Sequence, residues 1–445
     1  KGILQFFFRK QTNILSAATV IMITVFLSRL LGLFRDRLLV TYFSKETLGI
    51  YLATFRIPNL LFELLVIGAL STAFIPVFTG YLSEKNEEEG LRMTSFLINI
   101  ASSIVLVFAT ILIIFAVPLS KILAPGFTPD EITQMALFTR IILIGQVIPL
   151  VIGNFFTGVL QSFQRFIVPA LAPVCYNLGI LAGIVFLTPQ WGLLGAVFGV
   201  LIGAFLFMLV QIPFVLQLGY VPRFGFGLDH AGVRKVLKLT IPRTIGLAAT
   251  QIDATVDLVL ATLLGSGSVT VFYFAQNLQQ LPIGLFGATV AQAALPPLST
   301  AVAQKNNKHF EQLLLASYHQ ILFFIIPFSV LLFVLRIPIV RLVFGAARFD
   351  WQGTILTSQT LAFFTISLFA QSLVQLFVRA FYALHDTKTP VIIGIVAMLI
   401  NSVVSIIFIQ FFHFGVWSLA LSASFASIVN FLSLLVCLDR RISLN

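Results

Sequence analysis

Arg29, Arg35, Asp36, Arg37 and Arg56 stand inside the first two of about a dozen apolar stretches long enough to cross a bilayer. A charge at the centre of a membrane helix costs about 2.5–3.5 kcal/mol on insertion scales, and it persists mainly where it faces a water-filled cavity. The charge here is mostly positive. Arginine presents a planar fork that holds phosphate with two charge-assisted hydrogen bonds. The chemistry these residues offer is therefore a clamp for an anionic group, a pyrophosphate above all. Arg29 and Arg37 are eight apart and lie within about 80° of each other around a helix, while Arg35 is turned by about 240° from Arg29. Asp36 follows Arg29 by seven, shares its face and is placed to pair with it. The plainer reading is that residues 35–37 sit at a membrane interface and pair among themselves. Glu63 follows Arg56 by seven, which suits an internal ion pair at least as well as a proton-coupling role.

The second half of the chain carries a different set. Asp253 and Asp257 are four apart, share a helix face and are its only deep acids. Two carboxylates at membrane depth can hold Na⁺ or share a proton, with Asn401 as a neutral co-ligand. The plainer reading is a hydrogen-bonded pair bracing the bundle. His319 and His385 have no second His or Cys nearby and read as structural. No phosphate-binding loop, dinucleotide fingerprint, nucleophile elbow or zinc motif occurs in a usable context. A non-enzymatic protein without a cofactor is expected, driven by Na⁺, H⁺ or the membrane potential. The potential supplies about 2.3 kcal/mol per charge per 100 mV.

The elements that position these groups follow from composition. The chain has 445 residues, 59% hydrophobic and 10% charged, with a mean hydropathy of +1.04. This predicts an all-α polytopic membrane protein of about twelve spans, near 13–43, 47–82, 91–118, 130–163, 167–188, 192–218, 240–265, 268–303, 309–335, 353–384, 388–411 and 415–438. Gly32, Pro58, Pro76 and Pro296 are candidate bend points. Gly195, Gly199 and Gly203 form a stripe that admits a neighbouring helix closely. The net charge of +11 reads as basic loops and a polar cavity, not a nucleic-acid surface. Cys175 and Cys437 fall in apolar stretches and read as packing residues. The sequence starts at Lys1, not Met, and carries no evident cleavable signal peptide.

With the N-terminus inside, only Lys45, Lys121, Arg336, Arg341 and Arg348 fall in outer loops. The basic bias therefore places both termini in the cytoplasm. The stretch 75–86 matches 295–306 at an offset of 220, and Pro169 matches Pro390 at 221. The chain reads as two parallel six-helix lobes, 1–218 and 240–445, joined by a cytoplasmic linker at 219–239 with a short basic amphipathic stretch. Repeats around a midplane site are the architecture of alternating-access transporters.

The motifs resemble one family. Ser28-Arg29-Leu30-Leu31-Gly32-Leu33-Phe34-Arg35-Asp36 is similar to the first-segment signature of the MurJ (MviN) family of bacterial lipid II flippases. Similar too are Pro58-Asn59-Leu60-Leu61 with 68–76, the stretch 165–170 with Ala172, Pro173 and Asn177, then Leu281-Pro282-Ile283-Gly284, and 381–390 with its His385-Asp386-Thr387-Lys388-Thr389-Pro390. The resemblance covers nearly the whole chain in order. It implies a MATE-like fold of the multidrug/oligosaccharidyl-lipid/polysaccharide exporter superfamily and a cationic cavity for an undecaprenyl-pyrophosphate head group. Arg29 and Arg35 fall on the family's functional arginines, and Asp257 on an acid the family often has. There are departures. The family carries Arg-Arg at Phe62-Glu63, Glu at Ile67 and an arginine at Asn277 in Ala275-Gln276-Asn277-Leu278. It also tends to carry two further C-terminal helices.

The expected function is flipping of lipid II across the bacterial cytoplasmic membrane, with substrate contacts at Arg29, Arg35, Asp36, Arg56 and Asn277. The expected partners are lipid II, membrane lipids and cell-wall synthesis proteins. The alternatives are a flippase for another polyprenyl-pyrophosphate oligosaccharide, a cation/drug antiporter, which would want acids where this first half has Arg, and an inactive cell-wall scaffold.

Overall fold

The computed structural model describes residues 14–64 and 73–443. Ile67 and the stretch 68–72 lie outside the described residues. Every regular element described is helical. Among the described residues seven helices have the length and apolarity to cross a membrane, and nine spans result if each of two bent pairs counts as one. The chain divides into two compact units, residues 1–43 with 50–251 and residues 44–49 with 252–445.

Proline and its lost N–H explain most of the breaks. The expected span 47–82 is interrupted at Phe55, between Lys45–Thr54 and Arg56–Phe62. Pro58 cannot donate to the Thr54 carbonyl, and the Thr139 hydroxyl approaches that carbonyl instead, at 3.4 Å. The expected span 130–163 is two helices, Pro129–Gly145 and Val147–Ser162, bent by 43°, with Pro149 four residues beyond Gly145. Gly32 makes no break: Ile14–Tyr42 runs through it as one helix of 29 residues. Ala231–Leu263 is likewise a single helix of 33 residues, so the basic stretch 232–239 continues into the apolar segment after it.

The internal repeat extends to backbone geometry. Glu87–Ile114 ends at Phe115 (φ −92°, ψ 15°), three residues before Pro118, and Asn307–Val334 ends at Leu335 (φ −93°, ψ 15°), three before Pro338. Arg140 Nε donates to the Ile113 carbonyl at 3.0 Å, and Arg336 donates to that of Phe333 at 2.8 Å. Intramembrane Arg140 is thereby a backbone brace. The 43° bend at Gln146 has its counterpart in a 47° bend between Trp351–Thr365 and Leu368–Ala383. No proline causes the second bend. Ser367 N–H bonds the Phe364 carbonyl, and Ser424 Oγ donates to Phe363 at 2.7 Å. Lys85, Gln164, Lys305 and His385 all end helices with φ between 53° and 60°. In each case the next N–H reaches back five residues, the Schellman arrangement.

Each unit has its own core. Phe74, Phe78, Phe155 and Val159 anchor the first, and Phe310, Phe377, Phe381 and Leu434 the second. The glycine stripe of Leu193–Leu209 meets Ile167–Ala182. A Cβ on Gly183 would lie 2.2 Å from Gly199 Cα, and one on Gly203 would lie 2.4 Å from the Tyr176 carbonyl oxygen. The first unit also holds the 219–230 segment against Glu87–Ile114, where Asn99 donates to the Arg223 and Gly225 carbonyls at 2.8 Å each. Outer faces expose Phe108, Ile111, Phe186, Phe323 and Phe411. Such faces suit hydrocarbon, which offers no hydrogen bonds and asks for none.

Candidate functional site

A cavity of about 470 Å³ opens in the first unit, and Arg29 is on its wall. Ile14–Tyr42 supplies Thr24, Ser28 and Arg29. The Val147–Ser162 helix supplies Asn154, Thr157 and Gln161, and Pro169, Pro173 and Phe207 complete much of the rest. The first helix is tied in place by Asn177, which donates to Ser28 Oγ at 3.1 Å. Thr157 donates to Gln211 Oε1 at 2.9 Å, and buried Gln211 donates in turn to the carbonyls of Gly153 and Phe207. Arg29 is exposed to the cavity space. An exposed guanidinium on the wall of an open cavity can hold an oxyanion at low desolvation cost.

Arg35 and Arg56 are held by side chains of the same unit. Arg35 Nε and Nη2 both donate to Asp36 Oδ1, at 3.0 and 2.8 Å, and Asp36 is only 1% exposed. Asp36 thus pairs with its chain neighbour Arg35, the contact contained in the plainer reading of residues 35–37. Arg56 donates to the Gln251 carbonyl and to Gln251 Oε1, the latter at 2.9 Å, and Gln251 Nε2 donates to Glu63 Oε2. Gln251 therefore bridges the cation and the acid, and the sequence reading passed over it.

In the second unit Asp253, Asp257 and Asn401 come together. Asn401 Nδ2 lies 3.0 Å from Asp253 Oδ1 and 3.3 Å from Asp257 Oδ1. Asp257 and Asn401 are buried and Asp253 is half-buried. Asn401 Oδ1 is buried with no hydrogen-bond partner. Among the described residues no group of three or more His, Cys, Asp or Glu could hold a metal. Two carboxylates and an amide suit a monovalent cation or a proton better than a transition metal. Asn277 is half-buried on Ser266–Pro282, between buried Ala275 and Leu278.

The 385–390 motif has a structural use. Asp386 accepts the N–H groups of Lys388 and Thr389 and the Thr389 hydroxyl, at 3.1, 3.0 and 2.8 Å. These bonds, the Thr389 N–H foremost, outweigh burial and hold its carboxyl below the usual range.

The family described as lipid II flippase MurJ matches residues 39–445. The chain belongs to the MurJ family. A probable lipid II flippase MurJ of Buchnera aphidicola subsp. Baizongia pistaciae is 28% identical over 424 residues, which is 94% of this chain and 82% of the relative. A solved MurJ lipid II flippase in an inward closed conformation superposes with a TM-score of 0.82 at 28% identity, covering 95% of this chain and 87% of that one. An inward-facing MATE multidrug transporter of the MOP superfamily gives 0.78 at 15% identity, with 94% of each chain covered. That likeness shows a shared fold. The all-helical, multi-pass MurJ/MATE architecture expected from the motifs is the one observed. Three residues on the cavity wall, Asn154, Thr157 and Gln161, escaped the sequence reading. Their signal was a polar i, i+3, i+7 pattern inside an apolar stretch.

Proposed function

We propose that this MurJ-family chain flips lipid II across the bacterial cytoplasmic membrane by alternating access, with Arg29 receiving the pyrophosphate. The observation that carries this is the Arg29 guanidinium on the wall of the 470 Å³ cavity. Arg35 and Arg56 shape the positive field around the path, with Asp36 and the Gln251–Glu63 pair setting their orientation. Lobes at 1–218 and 240–445, a cytoplasmic linker at 219–239 and two cytoplasmic termini complete the reading, supported by the basic loop bias. Asp253, Asp257 and Asn401 form the coupling site for Na⁺ or H⁺. The orphaned Asn401 Oδ1 supports it, because an amide rotation would turn that oxygen toward a cation held by the carboxylates. Membrane lipids and cell-wall synthesis proteins are the surroundings in which it acts.

Complementation tests the reading: the gene should restore growth to cells depleted of their own lipid II flippase, and its Arg29→Ala variant should not. Failure of the wild type, at normal membrane levels, overturns it. Asn277, where the family carries arginine, favours a second reading, a flippase for another polyprenyl-pyrophosphate oligosaccharide. Asn277→Arg should then impair transport, whereas with lipid II as substrate it should preserve or raise it.

A further inference from the structure

The Val147–Ser162 helix has two faces. Val151, Phe155 and Val159 are buried in the first unit's core at 0–2% exposure. Asn154, Thr157 and Gln161 run along the other side and line the cavity that Arg29 borders. Positions i, i+3 and i+7 form one continuous stripe along a helix. The stripe is neutral, and it combines two amides with a hydroxyl, so it offers both donors and acceptors. Gln211 fixes the Thr157 hydroxyl, and Asn154 leans on the Leu150 carbonyl at 2.8 Å. Pro169, Pro173 and Phe207 also line the cavity and give it rigid apolar faces. Pro173 has no N–H for the Pro169 carbonyl, so helix geometry leaves that acceptor without its usual partner.

We infer that this cavity is a subsite for a neutral, hydroxyl- and amide-bearing sugar group, bound beside the phosphate that Arg29 takes. A pyranose has polar edges and apolar faces. A cavity lined both by amides and by proline and phenyl surfaces matches both. A cavity of 470 Å³ lies in the range of small-molecule sites and holds more than a phosphate needs. A site for phosphate alone would carry cations along its walls, yet the stripe carries none. The inference rests on the flippase reading and adds to it that the stripe senses the sugar while Arg29 senses the phosphate.

The test is binding by the purified full chain of two lipids, lipid II and undecaprenyl pyrophosphate, which lacks the sugar-peptide head. Asn154→Leu and Gln161→Leu, singly and together, leave the Thr157–Gln211 bond intact. The double variant should lose about tenfold in affinity for lipid II, equal to about 1.4 kcal/mol, and keep wild-type affinity for undecaprenyl pyrophosphate. That retained affinity also reports a folded cavity. Arg29→Ala should weaken both lipids. Equal loss for both lipids in the double variant, or no loss for either, overturns the sugar subsite and leaves the flippase reading standing. A wild type that binds neither lipid overturns that reading and the subsite with it.

Discussion

Arg35 closes on Asp36 through both Nε and Nη2, and the carboxylate it holds is only 1% exposed. Adjacent residues of one helix thus form a forked, largely buried ion pair. Removing one partner of a buried pair leaves an uncompensated charge and costs about 3–5 kcal/mol. Arg35→Ala should therefore lower the unfolding midpoint in detergent as well as stop flipping. Arg35→Gln with Asp36→Asn should recover the midpoint without recovering transport. A double variant as active as wild type would confine the pair to a structural part.

Asp257→Asn should lower turnover without weakening lipid binding, and Asp253→Asn should do so less, because Asp257 is the more buried of the two and shares the Asn401 amide. The measurement is transport at several Na⁺ concentrations and pH values. Wild-type rates with unchanged ion dependence would reduce the cluster to a brace.

Gly199→Ala should destabilise the first unit by about 1–3 kcal/mol, the usual range for overpacking. The added methyl would meet backbone, with the Ile180 carbonyl oxygen 2.8 Å from the Cβ. Gly394→Ala is the matched control. Nothing lies within 4 Å of its Cβ, and alanine favours a helix over glycine by about 0.8–1 kcal/mol. Unfolding midpoints should move in opposite directions, and equal shifts would contradict the packing argument.

Asp386→Ala should cost about 1 kcal/mol at neutral pH, as loss of a helix cap does. The folded carboxyl titrates below its unfolded value of about 3.9. Its stabilisation is therefore fully present above that value and fades as pH falls through the depressed folded value. Unfolding midpoints of wild type and variant should differ at pH 7 and converge in strong acid. A constant gap would contradict the assignment.

Membrane length, apolarity and the arginine-rich first helix were legible because each is carried by residue type and periodicity alone. The 220-residue repeat was legible at Pro76 and Pro296, and its extension to the breaks at Phe115 and Leu335 follows from Pro118 and Pro338. The bend at Ser367 was not, since hydroxyls, not a proline, take up its carbonyls. Arg35 with Asp36 stood only in the plainer reading of residues 35–37, because side chains one residue apart do not share a helix face, yet a long arginine can fold back along its own helix. Gln251 was missed because a lone glutamine carries no charge signal. Its bond to Glu63 spans 188 positions in sequence, which only the fold brings together.

The most direct measurement of the central claim is the rate of lipid II translocation in proteoliposomes by wild type, Arg29→Lys and Arg29→Ala. Lysine restores charge without the two-pronged donor. The account predicts rapid translocation by wild type, partial rates for Arg29→Lys, and a loss of at least about 100-fold for Arg29→Ala, equal to about 2.7 kcal/mol. Arg29→Ala translocating at the wild-type rate would contradict it.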